Sequence, residues 1–410
     1  MTLKRKLFLC ITSAAIAGNL YAVTPGSWGH DRVDQSNFPL DNNFVVSNQG
    51  DGVNVYVLDT GINNIADFEN RLITRVSFVP GESALVDQKG HGTNVASIVG
   101  GIKGVSPNVN LHSVKVLRAN LTQDIQNIID GLDWVIQNHQ LPAVVNLSLG
   151  GPDSRPNVDQ LEAKVQTLVN LGITVVTSAG NDGINACTVS PARMSDVITV
   201  GATDQNDERA LWSSFNDENG NVTKISNFGS CIDLFAPGKD IQVPNAQTGV
   251  GSEMFMGTSA SAPFVTGAAA IYLSSNPQAS PSEVKNAIVN TSFSGKIAGL
   301  DPASPNKILN AKLSIPNEPS TPTGFNVSSM FCFGLNQAIW NASSGTLTQY
   351  EVWSSTNSSF TNPQIFMTSP YRFVEFEVSG RTYLKVRACN GDYCSDLSNR
   401  QTAYSSNSCF

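Results

Sequence analysis

Three short segments carry a carboxylate, an imidazole and a hydroxyl, each where the chain changes from one element to the next. Only four histidines occur: His30, His91, His112 and His139. His112 opens a strand and His139 ends an amphipathic helix, which gives both a structural reading. His91 differs, because it stands in Gly90-His91-Gly92-Thr93 and opens a helix that continues Val95-Ala96-Ser97-Ile98-Val99. Glycines on both sides let backbone and substrate come close to the ring. A helix N-terminus opposes a positive imidazolium, so a carboxylate must offset it. Asp59, which follows the apolar run Val53 to Leu58, is the candidate. Ser259 lies in Gly257-Thr258-Ser259-Ala260-Ser261-Ala262-Pro263, ahead of the apolar helix Phe264 to Leu273. The plain reading of such a serine is a helix cap. The chemical reading is that its unpaired backbone N–H and the helix dipole stabilise an oxyanion forming beside its hydroxyl. Pro263 is expected in the first turn, where its missing donor costs little. Asn181 follows Ser178-Ala179-Gly180 at a strand end. Its amide is a second oxyanion donor, worth ~3 kcal/mol in the transition state.

Serine is a poor nucleophile until a base takes its proton. Histidine does so and returns the proton to the leaving amine, while aspartate holds the imidazole tautomer and offsets its charge. The elements that must position these groups are legible from periodicity. Val53 to Leu58, His112 to Leu117, Ala143 to Leu149, Ile173 to Thr177 and Val197 to Val200 read as buried strands. Helices are expected over Thr122 to Asn138 and Asp159 to Leu171. Alternation of this kind implies an α/β fold with a parallel sheet covered on both faces, and a site at the carboxyl ends of its strands. Near residue 314 the texture changes to the Pro-rich stretch 314–323. Beyond it, residues 324–410 read as short alternating strands of a small all-β sandwich.

Charged residues make up 14% of the chain and the formal net charge is -8. No basic cluster follows the first few residues, which argues against nucleic acid as a partner. Lys4, Arg5 and Lys6 precede the apolar stretch Leu7 to Ala17, and residues 1–22 read as a signal peptide ending at Ala22. No later run is long enough to span a bilayer, so no membrane span is expected; the protein is expected to be secreted, and to be a monomer. Setting Cys10 aside leaves an even six: Cys187, Cys231, Cys332, Cys389, Cys394 and Cys409. In an exported chain that number points to disulfides, with buried free thiols as the alternative.

Val57-Leu58-Asp59-Thr60-Gly61, Gly90-His91-Gly92-Thr93 and Gly257 to Pro263 resemble the three signatures of the subtilisin-like serine proteases, in the chain order Asp, His, Ser known for that class. Asn146 to Gly151, Ser190 to Arg193, Phe235 to Gly238 and Trp28 to Gln35 resemble the proteinase K branch, so the likeness covers roughly residues 25–313. It implies a peptidase domain over residues 23–313 with a subtilisin-like sheet. It also implies a triad of Asp59, His91 and Ser259 with Asn181 beside it. Protein or peptide substrates would pair as an extra strand with Ser148, Leu149 and Gly150, with Asn120 to Gln123 flanking and Ser178, Ala179 and Gly180 as the other wall. Broad specificity follows from main-chain pairing, with apolar or aromatic residues preferred before the scissile bond. Cys187 and Cys231 fall where aqualysin-like members carry a disulfide. Structural calcium is implied at Asp31, Asp34, Gln35, Asp41 and Asn43, and at Asp233 with the carbonyls of Ser195 and Val197.

The chain departs from the family pattern in several places. Asn94 and Phe264 replace histidines, and Ala260 replaces a methionine beside the nucleophile, which predicts tolerance of peroxide. Residues 209–225 are expected to form a long exposed loop, and no propeptide separates the signal from Trp28. The C-terminal segment resembles a fibronectin type III domain, with Tyr383 to Asn390 as its penultimate strand and Trp340 as core anchor. Cys389 and Cys394 are expected to clasp a hairpin, leaving Cys332 with Cys409, although four cysteines allow three pairings. Such domains bind carbohydrate or surfaces, and no ligand is named by these residues. The competing reading is a catalytically silent relative that acts through this sandwich; esterase chemistry on the same triad is a third.

Overall fold

The computed structural model describes residues 21–212, 224–313, 322–329, 336–341, 343, 349–361, 363–369, 372–376, 378, 381–390, 393–395 and 397–403. Most of the expected signal peptide and linker, Cys332, Cys409 and the centre of the 209–225 loop lie outside these residues.

The strands that hold the site are β1 Asn54–Asp59, β2 Leu72–Ser77, β3 Asn110–Lys115, β4 Ala143–Leu147, β5 Thr174–Ser178, β6 Ile198–Thr203, β7 Leu234–Pro237, β8 Phe293–Ser294 and β9 Lys307–Ile308. They form one nine-stranded sheet in the order β8-β9-β7-β6-β5-β4-β1-β3-β2. All pairings are parallel except the edge pair of β8 with β9. The α-helices are α1 Trp28–Arg32, α2 His91–Gly100, α3 Ile125–Asn138, α4 Val158–Asn170, α5 Thr258–Ser275 and α6 Pro281–Thr291.

Why the central strands carry apolar residues on both faces is visible in β1. Successive side chains point to opposite faces, and both faces are covered. Val55 and Val57 join the core under α2, α5 and α6, which includes Val95, Ile98, Val265 and Ile288. Tyr56 and Leu58 join the core under α3 and α4, with Ile128, Leu132, Leu161 and Val165. The α/β sheet with helices on both faces is the architecture expected from the sequence.

Element ends moved where a polar group intervenes. The helix expected from Thr122 begins at Ile125, because the Asp124 side chain accepts the N–H of Gln126 and caps it. β4 stops at Leu147, two residues before the expected end, which frees Ser148-Leu149-Gly150 from the sheet. Tyr21–Val23 pairs antiparallel with Phe44–Val46, so a strand straddles the expected cleavage point after Ala22.

Pro263 requires a correction. It is the sixth residue of α5, not part of the first turn. Lacking an N–H, it leaves the Ser259 carbonyl without its helical donor. The hydroxyl of Ser148 donates to that carbonyl at 3.0 Å, so the helix continues with the lost bond replaced from outside.

Beyond residue 321 two antiparallel sheets are described. One joins Asn326–Ser329, Asn336–Ile339 and Phe373–Phe376. The other joins Gln364–Ser369, Gln349–Ser355, Thr382–Asn390, Tyr393–Cys394 and Gln401–Ala403. Phe325, Ala338, Trp340, Tyr350, Val352, Leu384 and Val386 share one apolar core between them. The register sets Cys389 opposite Cys394 across a tight hairpin.

Candidate active site

Asp59 is the last residue of β1 and is fully buried. His91 is the first residue of α2, and its Nδ1 lies 2.7 Å from Oδ1 of Asp59. The approach is close because Gly92 has no side chain: a Cβ there would stand 2.2 Å from the carbonyl oxygen of Gly61. Burial disfavours the charged imidazole, but the charge and hydrogen bond of Asp59 outweigh it. The net result is a His91 pKa raised above the usual value. The ring of Phe255 stands edge-on to the imidazole with centroids 5.2 Å apart.

A second buried carboxylate, which sequence reasoning passed over, holds this corner together. Asp87 accepts the hydroxyl and N–H of Thr93 at Oδ2, and the Gly90 N–H and Thr60 hydroxyl at Oδ1. It therefore satisfies open N–H groups at the start of α2 with the charge that end favours. Its position three residues ahead of Gly90 was the available signal. Lys115, at the end of β3, is also buried and donates to the Thr60 carbonyl at 2.9 Å while pairing with Glu82 at 2.8 Å. The turn after Asp59 is thus tied on two sides.

Ser259 is the second residue of α5, whose N-cap is Gly257 at φ 117°, a left-handed value that suits glycine. Its hydroxyl donates to the carbonyl of Ser148 at 3.3 Å, and among the described hydrogen bonds none joins Ser259 to His91. Catalytic hydrogen bonds are often loose without substrate. A hydroxyl changes acceptor by rotating about its own Cα–Cβ bond. Ser148 is locked in turn, its Oγ accepting from Asn146, whose Oδ1 accepts the Thr266 hydroxyl.

Asn181 is oriented by chemistry that admits one assignment. Its Oδ1 accepts the Thr258 N–H at 2.8 Å and the Thr258 hydroxyl at 3.0 Å. A backbone N–H can only donate, so the amide oxygen must face Thr258 and Nδ2 is left with both donors. The adjoining Gly180 N–H donates to the same Thr258 hydroxyl at 3.1 Å. Among the described residues no hydrogen bond engages the backbone of Leu149 or Gly150. They form an open edge followed at once by Gly151, which pairs with Ser190. On the flank, Arg155 reaches Gln123 at 3.2 Å.

The remaining predicted residues are divided. Cys187 and Cys231 are joined, with Cα atoms 5.2 Å apart. Among the first set of expected calcium ligands, Oδ1 of Asp34 is buried without a partner. Burial raises the Asp31 pKa to about 6, with the Asp41 charge adding to the shift, and raises Asp34 well above the usual carboxylate range. Oδ1 of Asp31 and Oε1 of Gln35 both accept the Asp41 N–H, and Oδ1 of Asp41 accepts the Asn43 N–H. Oxygen-rich and acidic, with Lys312 as a nearby positive charge on Asp34, this loop has oxygen donors of the kind a hard cation takes, although no three carboxylates among the described residues are gathered tightly enough to cage an ion by themselves. The second expected set is engaged by a side chain of the protein itself. Asp233 and the carbonyls of Ser195 and Val197 all receive the ammonium of Lys285.

His112 keeps a structural role, and the surroundings of His30 are structural as well. Nε2 of His112 meets Asn54 at 3.1 Å and its ring stacks on Tyr56, while burial lowers the pKa to about 4. His30 is buried beside Phe264, and burial lowers its pKa to about 3.

Comparisons with known proteins agree with this geometry. The model of the subtilase family matches residues 50–334. An extracellular serine proteinase of Thermus sp. (strain Rt41A) is 42% identical over 289 residues, which is 70% of this chain and 66% of that protein. Alkaline serine exoprotease A of Vibrio alginolyticus is 41% identical over 288 residues, covering 70% of this chain and 50% of its own length. The chain thus spans between half and two thirds of these two relatives. The crystal structure of a cold adapted subtilisin-like serine proteinase aligns with a TM-score of 0.62 and 37% identity, over 69% of this chain and 97% of that one. The buried Asp59–His91 pair, the serine at the head of α5 and a family match across most of the chain lead to one conclusion: this protein belongs to the subtilase family.

Proposed function

We propose that the protein is a secreted serine endopeptidase that cleaves peptide bonds through an acyl-enzyme. The observation that carries this reading is the bond from buried Asp59 to Nδ1 of His91. It fixes the tautomer and leaves Nε2 as the base. The Ser259 hydroxyl attacks the scissile carbonyl while His91 takes its proton. The oxyanion accepts from the Ser259 N–H and Nδ2 of Asn181, the amine leaves with the proton from His91, and water reverses the sequence. The raised pKa of His91 suits this cycle, since Asp59 stabilises the imidazolium that forms midway.

The substrate backbone adds as a strand along the open edge at Ser148, Leu149 and Gly150, with Ser178, Ala179 and Gly180 opposite and Asn120 to Gln123 flanking. Main-chain pairing makes few demands on sequence, hence broad specificity. The loop of Asp31, Asp34, Gln35, Asp41 and Asn43 would hold calcium, which supplies charge neutralisation there and takes no part in the chemistry. Export fits the name of the Thermus relative, an extracellular serine proteinase, and the disulfide. The sheets after residue 321 are read as a fibronectin type III-like domain on a linker at 314–323.

The test is turnover of a chromogenic peptide and casein by purified protein, with labelling by a fluorophosphonate. Ser259→Ala should lower kcat by about six orders of magnitude, the loss seen for the equivalent change in subtilisin. Absence of turnover and labelling in the folded wild-type protein would favour the silent binding protein. Turnover of esters without amides would favour an esterase.

A further inference from the structure

The expected cation site at Asp233 is filled by the protein itself. Nζ of Lys285 lies 2.8 Å from the carbonyl oxygens of Ser195 and Val197 and 2.8 Å from Oδ1 of Asp233. An ammonium has three donors and no acceptor, and here each donor has one oxygen. Two carbonyls and a carboxylate are also the oxygen types a hard divalent ion takes. We propose that Lys285 is a tethered cation that replaces a metal ion at this position, so the locus is independent of dissolved calcium and becomes a calcium site only when the lysine is removed.

The surroundings preorganise the lysine for this role. α6 starts with a reciprocal capping box between Ser280 and Glu283, and Pro281 occupies its first turn. Lys285 therefore projects from a helix whose start is already fixed. Its partner is held as well, since Oδ2 of Asp233 accepts the Thr199 N–H at 2.9 Å. Side-chain exposure is 22% for Lys285 and 20% for Asp233, so solvent screens the pair only in part. The arrangement has a mechanical consequence for the groove. Ser195 and Val197 lie on the segment that leaves Ser190 and enters β6, and Ser190 pairs with Gly151 at the end of the open edge. A cation at this point clamps that segment from its outer side. An ion in solution would do so only while bound, whereas a covalently attached ammonium does so at any calcium concentration.

The experiment uses full-length protein carrying Ser259→Ala, so that self-digestion does not interfere. Calcium stoichiometry by titration calorimetry and Tm in EDTA and in millimolar CaCl2 are compared for this parent, Lys285→Ala and Lys285→Met. Lys285→Ala should bind one more calcium per chain than the parent. Its Tm should fall by several degrees in EDTA and be restored by calcium beyond any calcium effect in the parent. Lys285→Met, which fills the space without charge, should lose Tm and gain no calcium. Equal stoichiometry in Lys285→Ala and parent, or a Tm unchanged in EDTA, overturns the proposal. Should Lys285→Ala fail to fold, Asp233→Asn in the parent decides: unchanged calcium stoichiometry supports a site filled by lysine, and loss of one calcium overturns it.

Discussion

Replacing Asn181 separates two jobs that its amide does at once. Oδ1 anchors the head of α5 through the Thr258 N–H and hydroxyl, and Nδ2 is the donor proposed for the oxyanion. Asn181→Asp keeps the acceptor and removes the donor. Asn181→Ala removes both. Loss of one oxyanion donor costs about 10²–10³ in kcat, or ~3–4 kcal/mol, a figure taken from the corresponding asparagine of subtilisin and so from this chain's own family. Both variants should therefore lose kcat by about that factor with KM little changed, because the donor acts on a charge absent from the ground state. Stability should divide them. Thr258 is fully buried, and an unsatisfied N–H there costs about 1–3 kcal/mol. Asn181→Ala should then melt several degrees below wild type, while Asn181→Asp should stay near it. Steady-state kinetics on a peptide anilide and scanning calorimetry of both proteins make the test. A folded Asn181→Asp enzyme with kcat within threefold of wild type would refute the donor role. Equal Tm for all three proteins would refute the anchor.

The pH profile follows from His91. The group must be neutral to take the serine proton, and its pKa is raised, so the acid limb of kcat/KM should sit above the usual imidazole value near ~6.5; a limb below it contradicts the pairing. The same shift means that the stability contributed by the protonated pair is present below the unfolded-state pKa and is lost as pH rises through the raised folded value. Peroxide should oxidise Met254 and Met256 first, 60% and 46% exposed, whereas Ala260 beside the nucleophile has no sulfur to oxidise. Activity followed alongside mass spectrometry should outlast their conversion, and Ala260→Met should make inactivation steep; inactivation of the wild type as steep as that of Ala260→Met would count against it. The Cys187–Cys231 bridge spans 44 residues, for which loop closure predicts about 4 kcal/mol. Cys187→Ser with Cys231→Ser should unfold at clearly lower denaturant, and an unchanged midpoint would show that the bridge adds nothing.

The sequence alone determined the architecture and the chemical cast. A buried parallel strand must be apolar on both faces, so Val53 to Leu58 announced itself, and glycine-flanked His91 and the Ser259 segment marked element ends by their small residues. What periodicity does not contain is the set of partners brought in from elsewhere in the chain. Asp87 caps the helix of His91, Ser148 replaces the hydrogen bond that Pro263 removes, and Lys285 fills the cup at Asp233. Each is a polar side chain satisfying a group distant in sequence or outside its own element. The need for such a partner can be argued from local chemistry, but its identity depends on which segments the packed layers bring together.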